Sequence, residues 1–254
     1  MRYLLLVEYD GTHFSGYQRQ KGLRTVQGEL EQAAEQIAGV PTHVVASGRT
    51  DAGVHAAGQV CQLDCEITVP AHKLRECFNA LLPADVKVLA SAAATEGFDC
   101  TRGAKRKTYV YSAYYAETEQ PLLGRYAARL KNRPDSERMR EAAALLLGEH
   151  DFAAFRASGY TSKTSVRTIY DIQIDVQTEN GHTMYRVSVT GNGFLYNMVR
   201  ILVGELVSIG LGKGTNALRE ALETGNRALL ARTMPACGLM MKEVDYGVPL
   251  FGSR

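Results

Sequence analysis

The chain reads as an α+β protein made of two ferredoxin-like (β-α-β-β-α-β) halves. Three observations predict this. Short apolar runs with two-residue alternation are interleaved with stretches of helical, 3.6-residue periodicity. The order strand, helix, strand, strand, helix, strand occurs in residues 1–106 and again, with insertions, in residues 107–254. Capping and turn residues stand at the joints between these stretches. Two such split βαβ units are expected to join into a mixed, largely antiparallel sheet, with helices on one face and a central cleft where sites form. The repeat lies in topology; the halves share little residue by residue.

In the first half, a strand is expected from Arg2 to Tyr9, ended by the Asp10-Gly11 turn signal. Residues 12–24 are rich in Gly and Gln and lack periodicity, so they form a loop. Thr25 is a fitting N-cap for a helix with Val26, Leu30, Ala33, Ala34 and Ile37 on one face, closed by Gly39. Strands follow at 42–46 and 59–67, a helix after Pro70 over 71–81, and a strand at 86–90. The second half opens with the alternating Tyr109, Tyr111, Ala113 and Tyr115. Asp135 or Ser136 caps a helix with Met139, Ala142, Ala143 and Leu146 inward. Strands over 166–176 and 183–190 meet across Glu179-Asn180-Gly181, whose Asn-Gly is a hairpin signal. A long apolar helix over 194–210, a shorter one over 217–223, a turn around Ala228 and a last strand over 239–246 complete the half.

The totals bound the chemistry. The 254 residues are 45% hydrophobic and 22% charged, as in soluble globular proteins. No apolar run approaches the roughly 20 residues of a membrane span. Met1-Arg2-Tyr3 runs straight into Leu4-Leu5-Leu6-Val7 without a signal peptide, so the cytoplasm is the expected location. The five cysteines form no Cys-x-x-Cys pair and are not followed by His at zinc spacing, so reduced thiols and no metal site are expected. Net charge is only +2, yet Arg102, Lys105, Arg106 and Lys107 crowd together, and Arg125, Arg129, Lys131 and Arg133 follow. Such stripes suit a polyanionic partner.

The stretch richest in chemistry is Ala46-Ser47-Gly48-Arg49-Thr50-Asp51-Ala52-Gly53-Val54-His55-Ala56. It sets Arg, Thr, Asp and His within seven residues among glycines and alanines, a composition that lets another molecule approach the backbone. Taken alone it is equally a polar turn between two strands.

With these pieces in order, the chain resembles the tRNA pseudouridine synthase A family nearly end to end. The resemblance rests on nine segments in family order. The first three are Tyr9-Asp10-Gly11 with Phe14-Ser15-Gly16-Tyr17-Gln18-Arg19-Gln20, then Thr25-Val26-Gln27-Gly28-Glu29-Leu30-Glu31, then the Asp51 stretch with Gly58-Gln59-Val60. Asn79-Ala80-Leu81-Leu82-Pro83, Ala104-Lys105-Arg106-Lys107-Thr108-Tyr109, Gly148-Glu149-His150-Asp151-Phe152 and Arg167-Thr168-Ile169 follow. Gly191-Asn192-Gly193-Phe194-Leu195-Tyr196-Asn197-Met198-Val199-Arg200 and Pro235-Ala236-Cys237-Gly238-Leu239 close the set.

The resemblance implies an isomerase that turns uridine into pseudouridine at positions 38, 39 and 40 of the tRNA anticodon arm. It flips the base out and needs no cofactor and no metal. It implies that Asp51 is the catalytic carboxylate, that Arg200 pairs with it and holds it ionised, and that Tyr109 stacks on the extruded uracil. Arg49 would fill the vacated space or bind phosphate. Arg102, Lys105, Arg106, Lys107, Lys163 and Arg167 are candidate contacts to the RNA backbone. A homodimer is implied as well, and no membrane. His55 is read as fixing its loop or touching RNA, and Gly191-Asn192-Gly193 as a weak phosphate-binding signal at a helix start.

Two departures stand out: Tyr17 replaces a family Trp, and Phe98-Asp99-Cys100-Thr101 replaces Phe-His-Ala-Arg. The competing readings are a tRNA-binding or tRNA-folding protein without catalysis, and a metal-dependent hydrolase on Asp51, His55 and Asp151, for which the ligand spacing is poor.

Overall fold

The computed structural model describes residues 1–157, 164–179 and 181–252. The chain divides into two compact units, Met1–Lys107 with Met240–Arg254, and Thr108–Leu239.

The first unit begins with β1 (Arg2–Tyr9), followed by α1 (Val26–Ala38), β2 (Val44–Ala46), β3 (His55–Asp64), α2 (Leu74–Leu81) and β4 (Val86–Ala93). This is the expected β-α-β-β-α-β order. Thr25 caps α1 by accepting the Gly28 N–H, and Gly39 closes it in the left-handed conformation. β1 lies between β4 and β3, antiparallel to both, and β2 pairs antiparallel with β3. α1 and α2 pack against each other. Their inward Leu30, Leu74 and Phe78 are fully buried, as are Leu4 and Leu5 of β1. Buried Glu31 ties α1 to β2 by accepting the Val44 N–H at 3.2 Å.

The second unit runs β5 (Arg106–Tyr115, whose first two residues lie in the first unit), α3 (Pro121–Gly124), β6 (Ala128–Leu130), α4 (Ser136–Ala144), β7 (Gly148–Asp151), β8 (Val166–Glu179), β9 (His182–Gly191), α5 (Met198–Gly210) and α6 (Asn216–Thr224). The sheet order is β5-β9-β8-β7, with β6 parallel to β5. Asp135 caps α4 by accepting the N–H groups of Glu137 and Arg138. The β8–β9 hairpin is present, with Gly181 at φ 80°; Asn180 lies outside the described residues. α4 packs on both α5 and β8. α5 is buried along most of its length, and α4 meets it through Met139, which is 0% exposed.

Four expectations are corrected. The third strand spans His55–Asp64 rather than 59–67, because the buried pattern reaches back to His55 while the Cys65 N–H leaves to bond the Met1 carbonyl. The long helix starts at Met198, not 194, because Asn197 takes a left-handed φ of 62° that no helix continues through. α3, β6 and β7 add to the expected elements; at three or four residues they are too short to show a period.

The fourth concerns the last strand, β10 (Leu239–Asp245), which the topological repeat assigns to residues 107–254. Residues from Met240 onward belong to the first unit. β10 pairs in parallel with β3 through Met240–His55 and Met241–Ala56. Tyr246 then packs on Val60, Cys100 and Phe98 and donates its hydroxyl to the Cys100 carbonyl at 2.7 Å. No described helix is long and apolar enough to cross a membrane.

Candidate active site

The Asp51 loop joins β2 to β3 in the first unit, and its backbone is fastened on both sides of Asp51. The Thr50 carbonyl accepts the Tyr17 N–H at 3.0 Å, and the Gly53 N–H donates to the Phe14 carbonyl at 3.3 Å. The Asp51 carbonyl accepts the Val54 N–H at 3.1 Å, closing a turn in which Gly53 has φ 77°. Gly11 abuts the same turn: a Cβ there would stand 2.0 Å from the Val54 carbonyl oxygen. The segment 11–17 thus forms the wall on which the loop is built.

Buried polar side chains complete the fastening. Tyr9 and Thr50 share a hydroxyl–hydroxyl bond of 2.7 Å. Burial pushes the Tyr9 phenol well up, so it stays protonated. Ser47 donates its hydroxyl to Gln59 Oε1 at 2.7 Å, and Gln59 Nε2 donates to the Gly48 carbonyl at 2.7 Å. Gln59 is 0% exposed; its bond to Ser47 is buried, where losing it is costly, and its bond to Gly48 is partly buried. Neither Ser47 nor Gln59 was singled out from the sequence for this role. The available signal was a glutamine in the middle of an apolar strand, which must find a partner if buried.

His55 fixes the loop from below. It is buried, and its Nδ1 accepts the Gly11 N–H at 3.0 Å. That bond requires an unprotonated Nδ1 and places the ring proton on Nε2. Asp10 Oδ1 lies 3.2 Å from the same Nδ1 and would replace the Gly11 bond only on a ring that carries a proton at Nδ1.

Against this fixed frame, Asp51 is half-buried and Arg49 is exposed. The Arg49 side chain makes no hydrogen bond or ion pair with the described residues, so its guanidinium faces solvent. Arg102, Lys105 and Arg106 are exposed too. Lys107 differs: half-buried, it donates to the Ser47 carbonyl at 2.6 Å and so also braces the loop.

The two departures have structural places. Tyr17 is buried, its hydroxyl 3.4 Å from Cys61 Sγ. Asp99 accepts the N–H groups of Thr101 and Arg102, while Thr101 donates to the Ala46 carbonyl at 3.1 Å. Cys100 is fully buried, with its thiol pushed up to about 11 by burial. All five cysteines are free thiols.

In the second unit, Tyr109 on β5 is buried and meets Phe194 edge-on, ring centroids 5.3 Å apart. Thr108 beside it shares a bond of 2.9 Å with Thr190 on β9. Arg200 sits in the first turn of α5. Its Nε donates to the Met234 carbonyl at 2.7 Å and its Nη1 to Asn197 Oδ1 at 2.6 Å. Its apolar neighbours called for such partners. The left-handed Asn197 that delays the helix thus also aims Arg200. The Gly191-Asn192-Gly193 segment is not a helix start; Asn192 instead accepts the Thr168 N–H at 3.0 Å. Arg167 donates to the carbonyls of Thr164 and Val166. Lys163 lies outside the described residues. His150 and Asp151 bond their own neighbourhood, at Leu147 and Ala153. Among the described residues, no three His, Cys, Asp or Glu side chains gather as a metal site would require.

The sequence pattern of a family described as tRNA pseudouridine synthase matches residues 5–101 and 142–247, spanning β1 to β4, the Asp51 loop, Arg200 and β10. Two relatives called tRNA pseudouridine synthase A share this span. That of Shouchella clausii is 43% identical over 247 residues, covering 96% of this chain and 93% of its own. That of Acetivibrio thermocellus is 37% identical over 243 residues, covering 95% and 98%. Among solved structures, a chain of a Cbf5-Nop10-Gar1 complex aligns with 95% of this chain and 48% of its own, at 12% identity and a TM-score of 0.42; that likeness is too distant to bear on the chemistry. The protein is thus an RNA-modifying isomerase of the kind that forms pseudouridine. The chain belongs to the tRNA pseudouridine synthase family.

Proposed function

We propose that this enzyme isomerises uridine at positions 38, 39 and 40 in the anticodon arm of tRNA, with Asp51 as its essential carboxylate. The observation that carries the reading is the Asp51 loop. Its backbone is bonded immediately before and two residues after the carboxylate, by Tyr17 and Phe14, and its flank is clasped by buried Gln59. A half-open carboxylate on so firmly fastened a backbone suits a group that must meet a reacting atom at one position.

The reaction requires the N1–C1′ bond to break, the uracil to turn, and C5 to bond C1′. C5 then loses its hydrogen as a proton and N1 gains one, so nothing external is consumed. Asp51 serves as the nucleophile or base. Arg200 serves as the counter-charge that keeps Asp51 ionised, prealigned by Met234 and Asn197. Tyr109 supplies a ring for the flipped base and Arg49 an unengaged guanidinium for the vacated stack or a phosphate. Arg102, Lys105, Arg106, Lys107, Lys163 and Arg167 contact the RNA backbone, Lys107 doing so only if it releases Ser47. The acting species is a cytoplasmic homodimer.

The test is tritium release from tRNA carrying C5-labelled uridine. Wild-type protein is expected to release label from tRNAs with uridine at these positions, and Asp51→Asn to release none while still binding tRNA. Full release by Asp51→Asn would overturn the role of Asp51; release only from uridines elsewhere would overturn the positions.

A further inference from the structure

The second unit holds a concavity of about 580 Å³ that the reaction above does not use. It is lined by Ala153, Ala157 and three arginines, Arg156, Arg227 and Arg232, together with Ala228, Leu230 and Ala231. Among the described residues no carboxylate lines it, and the volume falls in the range of small-ligand pockets, about 300–1,000 Å³. Three guanidiniums around one hollow repel one another unless an anion joins them.

The three are held differently. Arg227 is prealigned: Nη1 donates to the Leu230 carbonyl at 3.1 Å and Nη2 to Thr233 Oγ1 at 3.3 Å. Arg156 is half-buried and Arg232 exposed, and neither side chain bonds any described residue. The floor is built, not a loose loop. Buried Glu205 on α5 accepts the Ala231 N–H at 2.7 Å and an ion pair from Lys213, whose ammonium also bonds the Leu229 carbonyl. Gly204 lets the same segment press on α5: a Cβ there would lie 2.3 Å from the Arg232 carbonyl oxygen. Two residues further along, the Met234 carbonyl holds Arg200.

We infer that this hollow is a phosphate subsite that takes a backbone phosphodiester of the tRNA substrate, with Arg156 and Arg232 as the free donors and Arg227 as the fixed one. The inference rests on the proposed tRNA activity. Its small alanine walls leave room for the sugars on either side, and guanidinium forks match phosphate oxygens in pairs. Because the segment that carries the hollow also carries the partner of Arg200, the bound phosphate serves as a positioning contact for the substrate.

The experiment compares wild-type protein with Arg156→Ala/Arg232→Ala and with Arg156→Lys/Arg232→Lys, all in tritium release and in tRNA binding at several salt concentrations. Wild-type release checks the activity independently. The alanine pair is expected to raise KM for tRNA about tenfold with kcat kept, and to reduce the salt slope of binding by about one for each arginine lost. The lysine pair is expected to recover most of the affinity and slope. Inorganic phosphate, added as a competitor at constant ionic strength, should weaken tRNA binding to wild type more than to the alanine pair. Unchanged affinity and slope in a folded alanine pair would overturn the subsite, as would competition by phosphate equal in both proteins. If the alanine pair does not fold, an unchanged salt slope in Arg232→Ala, whose side chain is exposed, would overturn it.

Discussion

Gln59 shows how much of this site depends on residues that touch no substrate. Its amide bonds the Ser47 hydroxyl and also holds the Gly48 carbonyl, four and three residues ahead of Asp51. Gln59→Leu keeps the volume but takes the amide away from both groups. We expect a loss of about 1–3 kcal/mol in urea unfolding and a fall in kcat larger than any rise in KM, since the carboxylate loses its fixed seat. At this scale the sequence reveals the side chains proposed to act more readily than their supports. Asp51, Arg49, Tyr109 and Arg200 stand out through the family resemblance, and Arg200 also through its apolar neighbours. Gln59 does not, because one glutamine in a strand looks like any other until its partner twelve residues away is known. Lys107 looks like its exposed basic neighbours in sequence, and only the fold turns its ammonium under Ser47.

Among the elements, local signals carry the first unit. A cap at Thr25, a stop at Gly39 and clear periodicity place α1, an apolar run of eight residues places β1, and β4 is found although it runs three residues past the expected Ala90. α3, β6 and β7 escape because a period needs repeats, and α5 begins late because Asn197 adopts a backbone its sequence only permits. The ion pairs between elements are equally invisible from local pattern. Arg24, ahead of α1, grips Asp85, ahead of β4, with two bonds of 2.7 and 2.9 Å, and the pair holds the Asp85 carboxyl below its usual range. A depressed folded-state pKa stabilises above the ordinary carboxylate value of about 4 and is lost as pH falls through the folded value. Asp85→Asn is therefore expected to cost about 0.5–1 kcal/mol at pH 7, the range for a partly exposed pair, and nothing once the wild-type carboxyl is protonated. Urea midpoints of the two proteins that differ equally at pH 7 and at pH 2–3 would refute this.

For the molecule as a whole, the surprise is the ownership of β10. Its pattern as a strand is legible, but its partner is not: β3 lies some 180 residues earlier, and parallel pairing leaves no turn to read. Removing residues 240–252 takes from the first unit its parallel strand and the Tyr246 that covers Val60 and Cys100. We expect such a truncated chain to lose protease resistance throughout residues 1–107, although none of those residues is altered, while Thr108–Leu239 keeps more of its protection. Fragment mapping after brief digestion would show it; a first unit as resistant as in the intact chain would contradict it.

That ownership sets a timetable for biosynthesis. A ribosome releases residues 1–107 early, yet the strand that completes their sheet emerges only after all of 108–239 has been made. The nascent first unit must wait with the flank of β3 uncovered, while the intervening unit can finish before it. An interrupted translation product would therefore lack the completed sheet beside the Asp51 loop.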